Sequence, residues 1–150
     1  MIFIGIGTNL GDKRKNIEQA RRLMTENQIR IVNSSSIDET EPVDFTDQPR
    51  FLNQIVAVET LLGPDELFEV LQSVEKEMKR VKLIKKGPRI IDLDLLLYND
   101  IVHKSDKLSI PHPGIRNRDF ILKHLIELDS NLTCPETGRK YLEIYYVKHK

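Results

Sequence analysis

Residues 87–98 read GPRIIDLDLLLY, and their apolar pattern predicts a buried strand over residues 89–98. Side chains of a strand alternate between its two faces, so Asp92 and Asp94 share one face. At a rise of about 3.3 Å per residue, their carboxylates stand about 7 Å apart. The two aspartates are accompanied on their face by Ile90 and Leu96, and the opposite face is predicted to carry Ile91, Leu93, Leu95 and Leu97.

Two acids one residue apart in an apolar strand require an explanation. Aspartate is depleted in strands, and a buried carboxylate without a partner is unfavourable. One interpretation is a magnesium site, because Mg²⁺ is commonly bound by one or two carboxylates together with substrate phosphates. The other is that this face of the strand is solvated and both acids lie in water. The spacing alone does not decide between these interpretations.

Outward from this strand, hydrophobic periodicity predicts alternating strands and helices. The predicted strands cover residues 2–7, 29–39 and 51–62, and the predicted helices cover 13–26, 64–82 and 118–128, with a turn and a terminal strand after residue 133. Asp12 is the predicted N-cap of the first helix. The polar loop over residues 39–50 is long enough to suggest a functional role or disorder. The order β-α-β-β-α-β-α-β predicts one α+β domain over residues 1–150, with helices on one side of an antiparallel sheet.

Composition points to a cytoplasmic monomer. Lys plus Arg and Asp plus Glu both number 23, so the net charge does not indicate a nucleic-acid partner. The single cysteine, Cys134, cannot form an internal disulfide, which suits a reducing compartment. The sequence begins without the features of a signal peptide and contains no apolar stretch of about 20 residues. We therefore expect no membrane partner, and because the sequence ends soon after the last predicted strand, we also expect no fused partner enzyme in this chain.

A local basic segment precedes the aspartate strand. Seven of the fourteen residues in KEMKRVKLIKKGPR, positions 76–89, are Lys or Arg. They could simply complement the C-terminal end of the preceding helix. Alternatively, they could bind a triphosphate with magnesium, since phosphoryl transfer depends on positioning and charge neutralisation. Downstream, His112 is followed by Arg116 and Arg118, and is either a phosphate contact or an ordinary packed histidine.

Five stretches of the chain together resemble the 6-hydroxymethyl-7,8-dihydropterin pyrophosphokinase family of the folate pathway. They run from residue 5 to about residue 130 and read GIGTNLGD, ETEPV, DQPRFLNQIVAVET, GPRIIDLDLLLY and LSIPHPGIRNRDF. The resemblance implies a ferredoxin-like α+β fold, an antiparallel sheet with helices packed on its faces. It also implies magnesium-dependent transfer of the pyrophosphoryl group of ATP to the hydroxymethyl group of the pterin, with release of AMP.

The resemblance further implies roles for individual residues. Asp92 and Asp94 would be the protein ligands of two magnesium ions. The implied ATP-side residues are Gln72, Glu75, Arg80, Lys82, Arg89, Lys107, Ser109, His112 and Arg118; Arg80, Lys82 and Arg89 would also be catalytic, with the two aspartates. On the pterin side, Phe51 and Phe120 would stack on the ring and Asn53 would bind its edge, with a wall formed by Thr40 and Val43.

Some positions depart from the family pattern. Lys85 and Lys86 stand where an aromatic residue often precedes Gly-Pro-Arg, so we expect Lys86 to contact phosphate instead. In residues 79–82, KRVK, a lysine replaces an arginine, and lysine offers a point charge without a bidentate fork. The alternative function is a catalytically silent ATP- or pterin-binding module that regulates a partner. A nucleic-acid-binding domain is disfavoured, because residues 76–89 contain no aromatic residue.

Overall fold

The computed structural model of the protein describes residues 1–42, 47–78 and 90–149. The main sheet contains β1 (Ile2–Thr8), β2 (Arg30–Ser34), β3 (Asp38–Thr40), β4 (Phe51–Glu59) and β5 (Asp92–Tyr98). The helices are α1 (Lys13–Glu26), α2 (Pro64–Met78), α3 (Asp119–Leu128) and α4 (Tyr141–Lys148), and a separate small sheet pairs β6 (His103–Lys104) with β7 (Ser109–Ile110). The strand order is β2-β4-β1-β5 with antiparallel neighbours, and β3 pairs with β4. This is the ferredoxin-like α+β connectivity, so the predicted fold class is confirmed.

The predicted helices are confirmed within the described residues. Helix α1 has the predicted bounds, and the Asp12 Oδ1 accepts a hydrogen bond of 3.2 Å from the Lys15 N–H at its start. Helix α2 begins at Pro64, while residues 79–82 of its predicted range lie outside the described residues. Among the described helices, none combines the length and the apolar character that crossing a bilayer requires.

Helices cover both faces of the sheet, so the expectation of helices on one side is wrong. Helices α1 and α2 pack on one face, in a core that includes Ile4, Val56 and Leu93. Helices α3 and α4 pack on the other face, in a core that includes Phe3 and Ile55. Because β1 and β4 carry apolar side chains on both faces, burying them requires a helical layer on each side.

The strand predicted over residues 29–39 is divided into β2 and β3. Between them, Ser35 donates its N–H to the Ile55 carbonyl oxygen at 2.8 Å. The Ile55 N–H, however, donates to the Ser35 side-chain Oγ at 2.9 Å and not to a backbone carbonyl. A serine hydroxyl that takes the place of a ladder acceptor interrupts regular strand pairing, which explains the division.

Strand β5 contains an irregularity that sequence alternation did not predict. Phe3 pairs with Leu97 and Ile4 pairs with Leu95, so Leu96 is an extra residue on β5. As a result, Leu96 and Leu97 both pack in the core under α3 and α4. The prediction that Leu97 shares the face of Leu95 is therefore wrong.

The predicted terminal strand is the helix α4. Tyr141 and Ile144, three positions apart, are buried in the core shared with α3, whereas Tyr146 and Val147 are exposed. Aromatic and β-branched residues favoured a strand by propensity. Packing of one apolar helical face against the core outweighs that weak preference.

Candidate active site

A pocket opens on the sheet face that carries α3 and α4, next to the start of α3. Its total empty volume, including the part open to solvent, is about 790 Å³. Strands β1, β3, β4 and β5 and helix α3 all contribute side chains to its lining. Seven residues predicted from the sequence line it together: Thr40, Phe51, Asn53, Asp92, Asp94, Arg118 and Phe120.

Two glycines of β1, Gly5 and Gly7, form the floor of the pocket. The strand register places Gly7 between Asn53 of β4 and Asp92 of β5, and it places Gly5 beside Asp94. Neighbouring strands lie about 4.8 Å apart, so Asn53 and Asp92 stand about 10 Å apart across this floor. Because glycine has no Cβ, a flat ligand can lie close to the backbone between the amide and the carboxylates.

The two aspartates are half-buried on β5, and both line this pocket. The N–H of Leu93, which lies between them, donates to the Glu75 Oε2 on α2 at 2.6 Å. This bond satisfies an outward-facing N–H of an edge strand and fixes β5 against α2. Within residues 1–42, 47–78 and 90–149, no group of three or more His, Cys, Asp or Glu side chains could hold a metal. A cation at the aspartates would therefore need further oxygens from water or phosphate.

His112 lies beside Asp94, with 3.9 Å between its Nε2 and the Asp94 Oδ1. Its backbone N–H donates to the Leu96 carbonyl oxygen, and its Nδ1 accepts the Gly114 N–H, both at 2.9 Å. With Nδ1 used as an acceptor, the ring proton is on Nε2, on the side of Asp94. Burial lowers the pKa of His112, and Arg118 lowers it further, against the opposing effect of Asp94. The ring is thus a neutral hydrogen-bond donor next to the carboxylates.

The lowered pKa of His112 makes stability depend on pH. As the pH falls, His112 of the unfolded chain binds a proton near its ordinary pKa of 6.5, whereas His112 of the folded protein binds it only at a lower pH. Stability therefore falls as the pH decreases through that value. We expect the fall in unfolding temperature between about pH 7.5 and about pH 5.5 to be smaller in His112→Asn, whose amide oxygen can still accept the Gly114 N–H. An equal fall in both proteins, measured by calorimetry, would assign the dependence to other groups.

The aromatic part of the pocket combines β3, β4 and α3. Phe51 and Phe120 both line it and are both half-buried, so each ring has surface left for a ligand. Thr40 pairs with Phe51 across the β3–β4 ladder, and its Oγ1 accepts a hydrogen bond from the Asn53 Nδ2. This bond holds the Asn53 amide in one orientation, with its Oδ1 next to Gly7.

Sequence reasoning missed one supporting interaction in this region. Asn9 is fully buried, and its Nδ2 donates to the Gln48 Oε1 at 2.8 Å and to the Pro49 carbonyl oxygen at 2.9 Å. Gln48 itself lines the pocket. Asn9 therefore holds the segment that leads into β4 by hydrogen bonds. The sequence feature that could have indicated this role is an asparagine within the stretch GIGTNLGD.

Other predicted residues are not brought to this pocket. Gln72 on α2 and Lys107 before β7 are exposed, and Ser109 is half-buried in β7; none of the three is among the pocket residues. Glu75 contacts β5 from the α2 side, through Leu93. The remaining predicted residues lie outside the described part of the chain: Val43, Arg80, Lys82, Lys86 and Arg89.

By fold and pocket, the protein is a ferredoxin-like α+β domain with a carboxylate-lined pocket on its sheet. The chain belongs to the 7,8-dihydro-6-hydroxymethylpterin-pyrophosphokinase (HPPK) family, whose model matches residues 3–130.

The chain matches relatives of about its own length and also much longer relatives. It is 35% identical over 151 residues to the 2-amino-4-hydroxy-6-hydroxymethyldihydropteridine pyrophosphokinase of Bacillus subtilis, a match that covers 97% of this chain and 90% of that protein. It is 43% identical over 142 residues to a folic acid synthesis protein of Schizosaccharomyces pombe, covering 94% of this chain and 19% of that protein. The chain spans only 18% to 26% of the length of the first five curated relatives.

The fold is also similar to that of solved structures. The crystal structure of wild-type HPPK-DHPS from Plasmodium falciparum matches with a TM-score of 0.76 and 17% sequence identity. The match covers 98% of this chain and 44% of that one. At this level of identity the likeness concerns the fold alone.

Proposed function

We propose that this chain is a single domain over residues 1–150 that transfers the pyrophosphoryl group of ATP to 6-hydroxymethyl-7,8-dihydropterin and releases AMP, in folate biosynthesis. The observation that carries the proposal is the shared pocket. Its aromatic and amide side chains lie on one side of a glycine floor, and Asp92 and Asp94 lie on the other. Family membership supports the same activity.

The acceptor ring would lie at the aromatic side of the floor. A pterin is flat and carries amide-like edges, so it suits stacking between Phe51 and Phe120 with the Asn53 amide in its plane. Thr40 and Val43 would complete the wall. Asn53 and Asp92 pair with Gly7 from opposite sides, on β4 and β5. The hydroxymethyl group would then extend across Gly7 towards Asp92.

The donor would lie at the aspartate side. Asp92 and Asp94 offer carboxylate oxygens, the ligands that Mg²⁺ prefers, and we propose that they hold two Mg²⁺ ions with the phosphates of ATP. Bound there, the ions would neutralise phosphate charge and orient the phosphate chain. His112 would donate its Nε2–H to a phosphate oxygen, and Arg118 would add a positive charge at the start of α3.

Residues outside the pocket would complete the nucleotide site. Arg80, Lys82 and Arg89 would supply positive charge from the basic segment and would be catalytic, with Lys86 as a further phosphate contact. Gln72, Glu75, Lys107 and Ser109 would contact the rest of the nucleotide.

In the reaction, the hydroxymethyl oxygen bonds to the β-phosphorus of ATP as the bond from that phosphorus to the α,β-bridging oxygen breaks. The hydroxyl proton passes to water, and AMP leaves with the bridging oxygen.

We further propose that the protein acts as a cytoplasmic monomer, with neither a nucleic-acid nor a membrane partner. Its balanced charge of 23 basic and 23 acidic residues supports this, as does its single cysteine. Analytical ultracentrifugation at several concentrations tests the monomeric state, and a species of twice the chain mass would contradict it.

Chromatography of the nucleotide products tests the proposed reaction. With ATP, Mg²⁺ and the pterin, the protein should produce AMP in a one-to-one ratio with pterin consumed. Omitting either the pterin or the metal should reduce AMP to background. Binding of both ligands without AMP would instead support the catalytically silent module, and ADP as the product would show transfer of a single phosphate.

Gly7→Ala should weaken pterin binding by about tenfold, because overpacking at a tight contact costs about 1–3 kcal/mol. A Cβ at this position would lie 3.2 Å from the Asn53 Oδ1, so the amide that binds the ring edge must move. Calorimetric titration with pterin gives the dissociation constant. Gly63→Ala is the matched control, since its Cβ would meet the Glu66 side chain at an ordinary distance of 3.5 Å. Unchanged pterin affinity in Gly7→Ala would show that the ring does not use this floor.

A further inference from the structure

Helix α3 carries a buried histidine that the proposed reaction does not use. The His124 side chain is 1% exposed, and its Nε2 lies 2.8 Å from the Asp38 Oδ2 on β3. Its other ring nitrogen, Nδ1, is buried and has no hydrogen-bond partner among the residues that the structure describes. The neighbouring α3 residues Ile121, Leu122 and Leu125 are apolar and buried in the core.

A second polar contact joins the same two parts of the chain. Glu127 lies one turn after His124 on α3, and its carboxylate accepts two hydrogen bonds from Ser36. The Ser36 N–H donates to Oε2 at 2.8 Å, and the Ser36 hydroxyl donates to Oε1 at 2.9 Å. Together, His124 and Glu127 tie α3 to residues 36–38, which lead into and begin β3.

This connection joins the two walls of the aromatic pocket. On one side, Phe120 lies four positions before His124, and the two rings meet edge to face with centroids 6.5 Å apart. On the other side, Asp38 pairs with Asn53 in the β3–β4 ladder, and Thr40 pairs with Phe51. The His124–Asp38 bond therefore crosses directly between the element that carries Phe120 and the ladder that carries Phe51 and Asn53.

A purely space-filling role does not account for this histidine. An apolar side chain of similar volume would fill the core without burying an unpaired ring nitrogen, which is unfavourable. The bond to Asp38 offsets part of that cost only while α3 and β3 keep their present separation. A hydrogen bond is directional and fixes distance more closely than apolar packing does.

We propose that His124 is a positioning residue for the acceptor ring: through Asp38 it sets the gap between Phe120 and the Phe51–Asn53 ladder. The inference rests on the proposed function for the identity of the ring that enters this gap. Its effect is confined to acceptor affinity, because the carboxylates on β5 and the residues around them make no part of this connection.

The test is calorimetric titration with pterin in the presence of Mg²⁺ and a non-hydrolysable ATP analogue, together with steady-state kinetics. His124→Leu keeps an apolar volume and removes the bond, so it should raise the pterin dissociation constant by about tenfold, the factor expected for one hydrogen bond. The KM for ATP and kcat should stay within about twofold. In His124→Gln, the amide Nε2–H can still donate to Asp38, and pterin affinity should recover to within about threefold of the wild type.

Two further variants separate positioning from stability. Ile144→Ala removes a buried side chain from the same core without touching the connection, so it should lower the unfolding temperature and leave pterin affinity unchanged. Asp38→Ala should weaken pterin binding as much as His124→Leu does, and the double variant should be no weaker than either. Additive losses, or an equal loss of affinity in Ile144→Ala, would overturn the inference.

The outcomes for the wild type keep this inference distinct from the proposed function. If the wild type binds pterin without releasing AMP, the proposed reaction fails while the role of His124 is still decided by the binding data. If the wild type binds pterin and His124→Leu binds it equally well, the inference alone fails. If the wild type binds no pterin, both are overturned.

Discussion

Asp94→Asn should reduce the rate of AMP formation by about a thousandfold, which corresponds to about 4 kcal/mol of transition-state stabilisation. The change removes one negative charge and replaces one carboxylate oxygen by an amide nitrogen, which cannot bind a cation. The fold should persist, because the Asp94 side chain is 43% exposed and the substitution keeps its shape. The unfolding temperature should change by no more than about 3 °C, as expected for about 1 kcal/mol in a chain of this size.

Product chromatography over time gives the rate, and scanning calorimetry gives the unfolding temperature. Asp100→Asn is the matched control, because Asp100 is an exposed carboxylate in the turn that follows β5. It should keep the wild-type rate. A wild-type rate in Asp94→Asn would refute the metal-ligand role, and the solvated-face interpretation of the two aspartates would then stand.

Phe120→Ala should raise the pterin dissociation constant by between about tenfold and about a hundredfold, the range found for the loss of one stacked aromatic face. ATP affinity should stay within about twofold, because α3, which carries Phe120, packs against β4, whereas the aspartates lie on β5, two strands away in the sheet. The ring is half-buried and packs at the margin of the α3–α4 core, so some loss of stability accompanies the change.

Calorimetric titrations with each ligand separate the two effects. Phe68→Ala is the matched control, because Phe68 is a half-buried phenylalanine that packs against the core on the opposite face of the sheet. It should lower stability without selective loss of pterin affinity. If Phe120→Ala weakens both ligands equally, Phe120 is a core residue and does not stack on the acceptor ring.

The sequence predicted those elements whose signals are local. Helix α1 has a capping aspartate and an apolar residue at each turn, and both signals lie within residues 12–26. Strand β5 was recognisable from its alternating apolar residues. The α4 helix was not, because its aromatic and β-branched residues favour strands, and only packing of Tyr141 and Ile144 against α3 determines its structure. The extra residue at Leu96 likewise depends on the partner strand, which no local pattern reveals.

The candidate site shows the same division. The spacing of Asp92 and Asp94 predicted that they share a face, and the structure places both in one pocket. The glycine floor depends on the register of β1 between β4 and β5, and this register cannot be predicted from local sequence patterns. The His124–Asp38 bond joins residues 86 positions apart, and a lone histidine in an apolar helix reads as an ordinary packed residue. Long-range polar contacts of this kind become visible only in three dimensions.

The central claim is that Asp92 and Asp94 bind metal and ATP beside the acceptor ring. A crystal structure with a non-hydrolysable ATP analogue, Mg²⁺ and the pterin tests it most directly. We expect Mg²⁺ at about 2.1 Å from an oxygen of each aspartate, in contact with the phosphates, with the pterin ring between Phe51 and Phe120. Carboxylates that face bulk water, with the metal and phosphates bound elsewhere, would contradict the claim.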